Sequence, residues 1–87
     1  MARVQVPSLL RDLTGGRSEV DASGRTLREV VRSLDQQYPG MASRLLDDGR
    51  PRSEIAFAVD GVVADLGLLQ PVEERSEVII MPAISGG

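Results

Sequence analysis

Cysteine, histidine, lysine and tryptophan are all absent from the 87 residues. Without Cys there is no disulfide, thiol nucleophile or thiolate metal site. Without His the usual general base and the commonest metal ligand are missing. A metal site would have to be built from oxygen alone, and its candidate, Asp47-Asp48, reads as a solvated loop. The only aromatic residues are Tyr38 and Phe57, and the net charge is -3. An acidic chain with almost no stacking groups is a poor nucleic-acid binder. No apolar run approaches the roughly 18 residues of a membrane span, and the N-terminal residues lack a signal-peptide layout. A cytoplasmic location with no membrane partner is therefore expected.

The missing lysine bears on chemistry as well as composition. All ten basic residues are Arg. Codon usage in a GC-rich genome accounts for this without any function. A functional reading stands beside it: a Lys amine captures activated acyl groups, and a protein that activates its own carboxylate gains by having none.

That second reading has force because the sequence ends in Ser85-Gly86-Gly87. A terminal glycine carries no Cβ, so a narrow channel can close around it. Its carboxylate can be adenylated and acyl-transferred without steric hindrance. A flexible tail is the alternative reading. A chance Gly-Gly at a fixed place is roughly a 1-in-200 event at about 7% glycine, so the residues before it must decide.

Those residues read as one small domain. A chain this short buries only about 60% of its unfolded surface, which leaves little core for a deep catalytic pocket. Arg3-Val4-Gln5-Val6 alternates polar and apolar as a strand does. Thr14-Gly15-Gly16 marks a turn, and residues 18–21 read as the returning strand with Val20 inward. Leu27, Val30, Val31 and Leu34 form one apolar helical stripe. Thr26 and Glu29 make a capping box at its start, and Tyr38-Pro39-Gly40 stops it. Residues 42–46 add a short turn ended by Asp48-Gly49. Ile55 to Val59 reads as a strand with Phe57 and Val59 on one face. Asp60-Gly61 is a hairpin turn, and Val62-Val63 begins the way back. Leu66 to Leu69 reads as a buried crossing loop. Val78-Ile79-Ile80-Met81 is the last strand, closed by Pro82.

Hairpin, helix and further strands predict an α+β domain over residues 1–82, with one main helix packed across a mixed sheet, and a tail over 83–87. A single helix covers one face only. If Val78 and Ile80 face it, Ile79 and Met81 point to the uncovered face, beside Ala56, Ala58, Gln5 and Pro7. Such a patch marks a partner interface; a strand covered on both faces by loops is the alternative.

The chain resembles the ubiquitin-like β-grasp sulfur carriers of the MoaD/ThiS superfamily, and within it the CysO-type carriers. The resemblance covers nearly the whole length. It rests on Leu9 to Gly15 after the first strand, Thr26 to Val31 at the helix start, Phe57 to Gly61 at the hairpin, and Glu77 to Gly87. Thr14-Gly15-Gly16, Ala22-Ser23-Gly24, Tyr38-Pro39-Gly40 and Arg44 to Asp47 carry the CysO likeness. Two positions depart from the family pattern: Asp60 stands where Asn is usual, and Arg75-Ser76 where Gly-Asp is usual.

The resemblance implies that the chain is no enzyme but a carrier with no permanently bound cofactor. A ubiquitin-activating-enzyme-like adenylyltransferase and sulfurtransferase would use ATP and Mg²⁺ to adenylate the Gly87 carboxylate. A sulfur donor would then leave a thiocarboxylate there, and a sulfur-accepting synthase would consume it. Ser85 and Gly86 would thread the partner's channel. The expected docking surface is Pro7, Ala56, Ala58, Ile79, Met81, Pro82 and Ile84. The acceptor stays open among cysteine, molybdopterin, thiazole, thiolated tRNA and a thiosugar or other natural product. A protein modifier joined through isopeptide bonds, and a plain protein-binding domain, remain the other two readings.

Overall fold

A computed structural model describes residues 1–83 of the chain. Its centre is the pairing of the first and last strands. β1 (Ala2–Gln5) runs parallel to the final strand, with Val4 opposite Val78. A second strand, β2 (Glu19–Ala22), returns antiparallel to β1, with Val4 opposite Val20. Between β1 and β2 a 3-10 turn at Ser8–Leu10 drops Leu10 into the core, fully buried. Gly15 and Gly16 follow at φ +66° and +89°. Thr14 is buried just before them and donates from Oγ1 to the Arg17 carbonyl at 2.7 Å.

The main helix, α1 (Leu27–Gln37), starts where the capping pattern places it. The Glu29 N–H donates to Thr26 Oγ1 at 3.3 Å, and the Glu29 carboxylate reaches back to the Arg25 N–H at 3.0 Å. The helix buries Leu27, Val30, Val31 and Leu34 and nothing else. Full burial of side chains this size contributes about 1.5–3 kcal/mol each. A short α2 (Met41–Leu45) adds Met41 and Leu45 to the same core. It leads into a small hairpin of β3 (Leu46–Asp47) and β4 (Arg50–Pro51), which the sequence pattern does not predict. Its turn, Asp48-Gly49, holds both residues at positive φ, +53° and +76°, as a two-residue primed turn requires.

β5 (Ile55–Val59) and β6 (Val62–Val63) pair antiparallel across Asp60-Gly61, again with both turn residues at positive φ. β7 (Glu77–Pro82) then inserts between β1 and β5, so the sheet order is β2-β1-β7-β5-β6. Only the β1–β7 pair is parallel. The mixed sheet with one main helix across it matches the expected architecture. One element does not. Leu66 to Leu69 is no buried crossing loop: Leu68 is inward, but Leu66 and Leu69 are 62% and 70% exposed. Gly67–Leu69 forms a 3-10 turn, in which residues three apart eclipse one another. Leu66 and Leu69 therefore share the wet side, and only Leu68 packs.

Candidate functional site

β7 is the element that organises the site. It sits in mid-sheet and carries the chain toward its C-terminal residues. Its alternation is clean: Val78 and Ile80 are buried at 0% and 2%, while Ile79 and Met81 are only half-buried on the opposite face. Side chains alternate across a strand, so this split follows from the helix claiming one face. The last bond between the described chain end and the body is at Ala83, whose N–H donates to the Glu54 carbonyl at 2.8 Å. Ile84, Ser85, Gly86 and Gly87 lie outside the described residues, so the expected reactive end and its tail are not placed.

The register assembles the outer face in rows. Met81 lies opposite Ala56, and Ile79 opposite Ala58. Ile79 also neighbours Gln5 on β1, and Gln5 neighbours Glu19 on β2. Short Ala side chains beside Ile79 and Met81 make a shallow apolar step. Pro7 is half-buried and Pro82 exposed at its ends. Ala58 corrects the expectation. It lies on this face, but only 6% of it is exposed. A methyl in mid-sheet between Ile79 and Val63 is overtopped by both. Val63 was missed. It pairs with Ala58, so it belongs to the same row, and it is 57% exposed. The two-residue Asp60-Gly61 turn alone implies that pairing.

The other half of the face is polar. Glu19 accepts from Gln5 Nε2 at 2.8 Å and pairs with Arg3 at 3.4 Å. These groups are exposed, and such pairs add little stability.

At the opposite end of β7, Asp60 and Ser76 meet. Asp60 Oδ1 accepts from the Glu77 N–H at 2.9 Å, and Oδ2 accepts from Ser76 Oγ at 2.7 Å. Ser76 Oγ in turn accepts from the Glu73 N–H at 2.8 Å, and Ser76 is buried. The Glu77 backbone bond, then the Ser76 hydroxyl, hold the Asp60 carboxyl below its ordinary value of 3.8. Hydrogen bonds to the ionised form favour it. This clasp sets where β7 begins and hence its register against β1 and β5.

Among the described residues no group of three or more acidic side chains converges as a metal site. Asp47 and Asp48 are exposed in the β3–β4 hairpin. No described helix is long and apolar enough to cross a membrane.

A family model described as the ThiS family matches residues 4–87. The chain belongs to the ThiS family. Its fold is accordingly the ubiquitin-like β-grasp, and its likeness within the family is to CysO. It is 35% identical to the sulfur carrier protein CysO of Mycobacterium tuberculosis over an 89-residue alignment, covering 97% of this chain and 96% of that protein. The crystal structure of an Amycolatopsis orientalis BexX/CysO complex contains a chain that superposes with a TM-score of 0.92 at 28% identity, over 100% of both chains. Small archaeal modifier protein 3 of Haloferax volcanii is 31% identical over 64 residues, covering 71% of this chain and 70% of that one.

Proposed function

We propose that this ThiS-family chain is a sulfur carrier whose cargo is borne on the Gly87 carboxylate. The observation that carries the reading is β7 itself: a central, core-anchored strand that leads directly into a sequence ending in Gly86-Gly87, with half-buried Ile79 and Met81 beside its exit. The similarity to CysO supports it.

The chemistry follows from the group available. The Gly87 carboxylate attacks the α-phosphorus of ATP on an adenylating partner, with Mg²⁺ neutralising the phosphates, and pyrophosphate leaves. The mixed anhydride so formed is open to hydrosulfide, which attacks the carbonyl carbon, displaces AMP and loses its proton. The product is a thiocarboxylate, a stronger nucleophile than the carboxylate it replaces. On a synthase the thiocarboxylate sulfur bonds to the acceptor, and water then cleaves the acyl–sulfur bond, which leaves the sulfur on the acceptor and restores the Gly87 carboxylate. The chain provides no catalytic group. It provides a reactive end on a tether, since residues 83–87 span at most about 16 Å. The outer face of β7 and β5, with Ile79 and Met81 central and Ala56, Pro7 and Pro82 at its margin, docks the body while the tail enters the partner. Ala58 contributes floor rather than contact.

The same activation would serve a protein modifier, and the similarity to small archaeal modifier protein 3 keeps that reading in view. Intact mass of the chain isolated from cells separates the two. A species heavier by about 16 Da, oxygen replaced by sulfur at the acyl carbon, marks the carrier; larger protein adducts mark the modifier. Deleting Gly87 should abolish ATP–pyrophosphate exchange by the cognate adenylating enzyme without altering the melt. Undiminished exchange by the truncated chain would overturn the assignment of Gly87.

A further inference from the structure

The exposed large apolar side chains do not cluster on the docking face. Of the six described, Met1, Leu9, Val62, Val63, Leu66 and Leu69, four fall between residues 62 and 69. Val62 and Val63 are 66% and 57% exposed and form β6, the outermost strand of the sheet.

The backbone of that edge is open at one residue. Val59 and Val62 close the two-residue turn, and the Ala64 N–H donates to the Phe57 carbonyl at 2.9 Å. Antiparallel pairs alternate between bonded and non-bonded, so Val63, between them, turns its N–H and C=O away from β5. The far edge of the sheet is different. β2 presents Glu19 and Asp21, both exposed, and charges on an edge strand discourage strand addition. β6 carries no charge. The unguarded edge adjoins the apolar half of the docking face: Val63 lies in the row of Ala58 and Ile79, which toward β2 continues into Gln5 and Glu19.

Charge identifies what can lie there. Asp60 and Asp65 bracket the strip, and both are exposed. An antiparallel second copy centred on Val63 would set Asp65 of one chain opposite Gly61 of the other, next to Asp60. Both copies also carry a net charge of -3. Self-pairing is thus opposed, and a strand with cationic ends is favoured.

We propose that the adenylating partner lays an extended segment along β6, pairing its backbone with Val63, its apolar side chains covering Val62, Val63 and Leu66, and its Lys or Arg residues meeting Asp60 and Asp65. Strand addition supplies affinity through main-chain bonds and specificity through alternate side chains. This inference rests on the sulfur-carrier reading, because it needs an adenylating partner. It goes beyond that reading in naming the edge and the character of the segment.

Hydrogen exchange at the Val63 amide, in the full chain with and without the cognate adenylating enzyme, tests it. Exchange should slow by roughly tenfold or more on binding, because an open N–H becomes paired. Val63→Pro removes that N–H where no native bond uses it, and should weaken association by roughly tenfold. Val63→Thr, which keeps the N–H, should bind within about threefold of the native chain. Asp65→Asn should weaken binding and reduce its sensitivity to salt. If the complex forms while Val63 exchanges as in the free chain, the edge is unused and the inference falls, although the carrier reading stands. This readout uses the native chain and holds even if Val63→Pro fails to fold. Val63 protection in the chain alone, with dimers by light scattering, would make a second copy the occupant and also overturn it. If the enzyme neither binds the chain nor exchanges pyrophosphate with it, both readings fall together.

Discussion

Ser76 Oγ donates to Asp60 Oδ2 at 2.7 Å, joining residues 16 apart in sequence. The two side chains satisfy one another across the start of β7. An Asp at the turn accepts at both oxygens, from Ser76 and from the Glu77 N–H. The buried Ser76 hydroxyl spends its proton on Asp60 and its lone pair on the Glu73 N–H. Ser76→Ala orphans that N–H and should cost about 1–3 kcal/mol. Chemical denaturation of the two proteins measures it.

The same clasp predicts a pH effect with a definite sign. The Asp60 carboxyl is held below its ordinary value of 3.8 in the folded chain. A depressed carboxyl contributes stability that is fully present above the unfolded value and is lost as pH falls through the folded one. Asp60→Asn removes this titration while keeping an acceptor for the Glu77 N–H. The fall in Tm on acidifying from neutral pH to below the ordinary carboxylate range should therefore be smaller in Asp60→Asn than in the native chain. Parallel acid profiles that differ by no more than a constant would show that Asp60 is uncoupled from folding.

Gly24 offers a steric prediction. It sits at φ +149°, and a Cβ there would stand 2.7 Å from the Val30 nitrogen and from Glu29 Cβ. Backbone atoms of a capped helix cannot give way cheaply. Gly24→Ala should lower stability by about 1–3 kcal/mol, from strain and from displacing the first turn of α1. Gly61→Ala, at φ +85° but with nothing within 4 Å of its Cβ, bears the conformational part alone and should cost less. Thermal melts of the pair separate contact from conformation.

How much was legible beforehand depends on the range of the interaction. The stripe of Leu27, Val30, Val31 and Leu34 and the Thr26 cap are local, and they stand as the spacing implies. β7 is apolar from Val78 to Met81, so its pattern does not say which pair faces the helix; the structure turns Val78 and Ile80 inward. The Leu66–Leu69 segment misled because apolar content does not say which way a 3-10 turn faces. Leu10, Met41 and Leu45, all fully buried, lie in short turns with no period long enough to register. The burial of Ala58 depends on the heights of neighbours on two other strands. The Asp60–Ser76 bond depends on β7 entering the sheet beside β5. Neither is written in local pattern. The tail residues 84–87 lie outside the described structure, so the Gly86-Gly87 motif remains a sequence argument.

Gly86 offers a test at the tail. A channel built for glycine has no room for a β-branched side chain, which also narrows φ/ψ choice. Gly86→Val should slow activation by more than tenfold, about 1.4 kcal/mol or more, with the melt unchanged. Pyrophosphate exchange at saturating ATP measures this, and a normal rate would mean a roomier channel.

The docking face and the core can be told apart by the same substitution on the two sides of the sheet. Val30 is 1% exposed, on the face of α1 that packs on the sheet, and Met81 is half-buried on the outer face. Val30→Asp places an unpaired carboxylate in the core and should cost about 3–5 kcal/mol, most of what a domain this size has. Met81→Asp keeps its charge in reach of water in the free chain, so the melt should shift little. On docking, that carboxylate would be desolvated against an apolar partner surface, and affinity should fall by a few kcal/mol on the same physics. Met suits such a position, because its flexible thioether adapts to more than one surface. On the proposed function, an adenylating enzyme and a synthase would read the same face in turn. Calorimetric titration with the adenylating enzyme, beside melts of both variants, decides the matter. Native affinity in Met81→Asp would move the interface elsewhere, and unfolding as severe as that of Val30→Asp would place Met81 in the core.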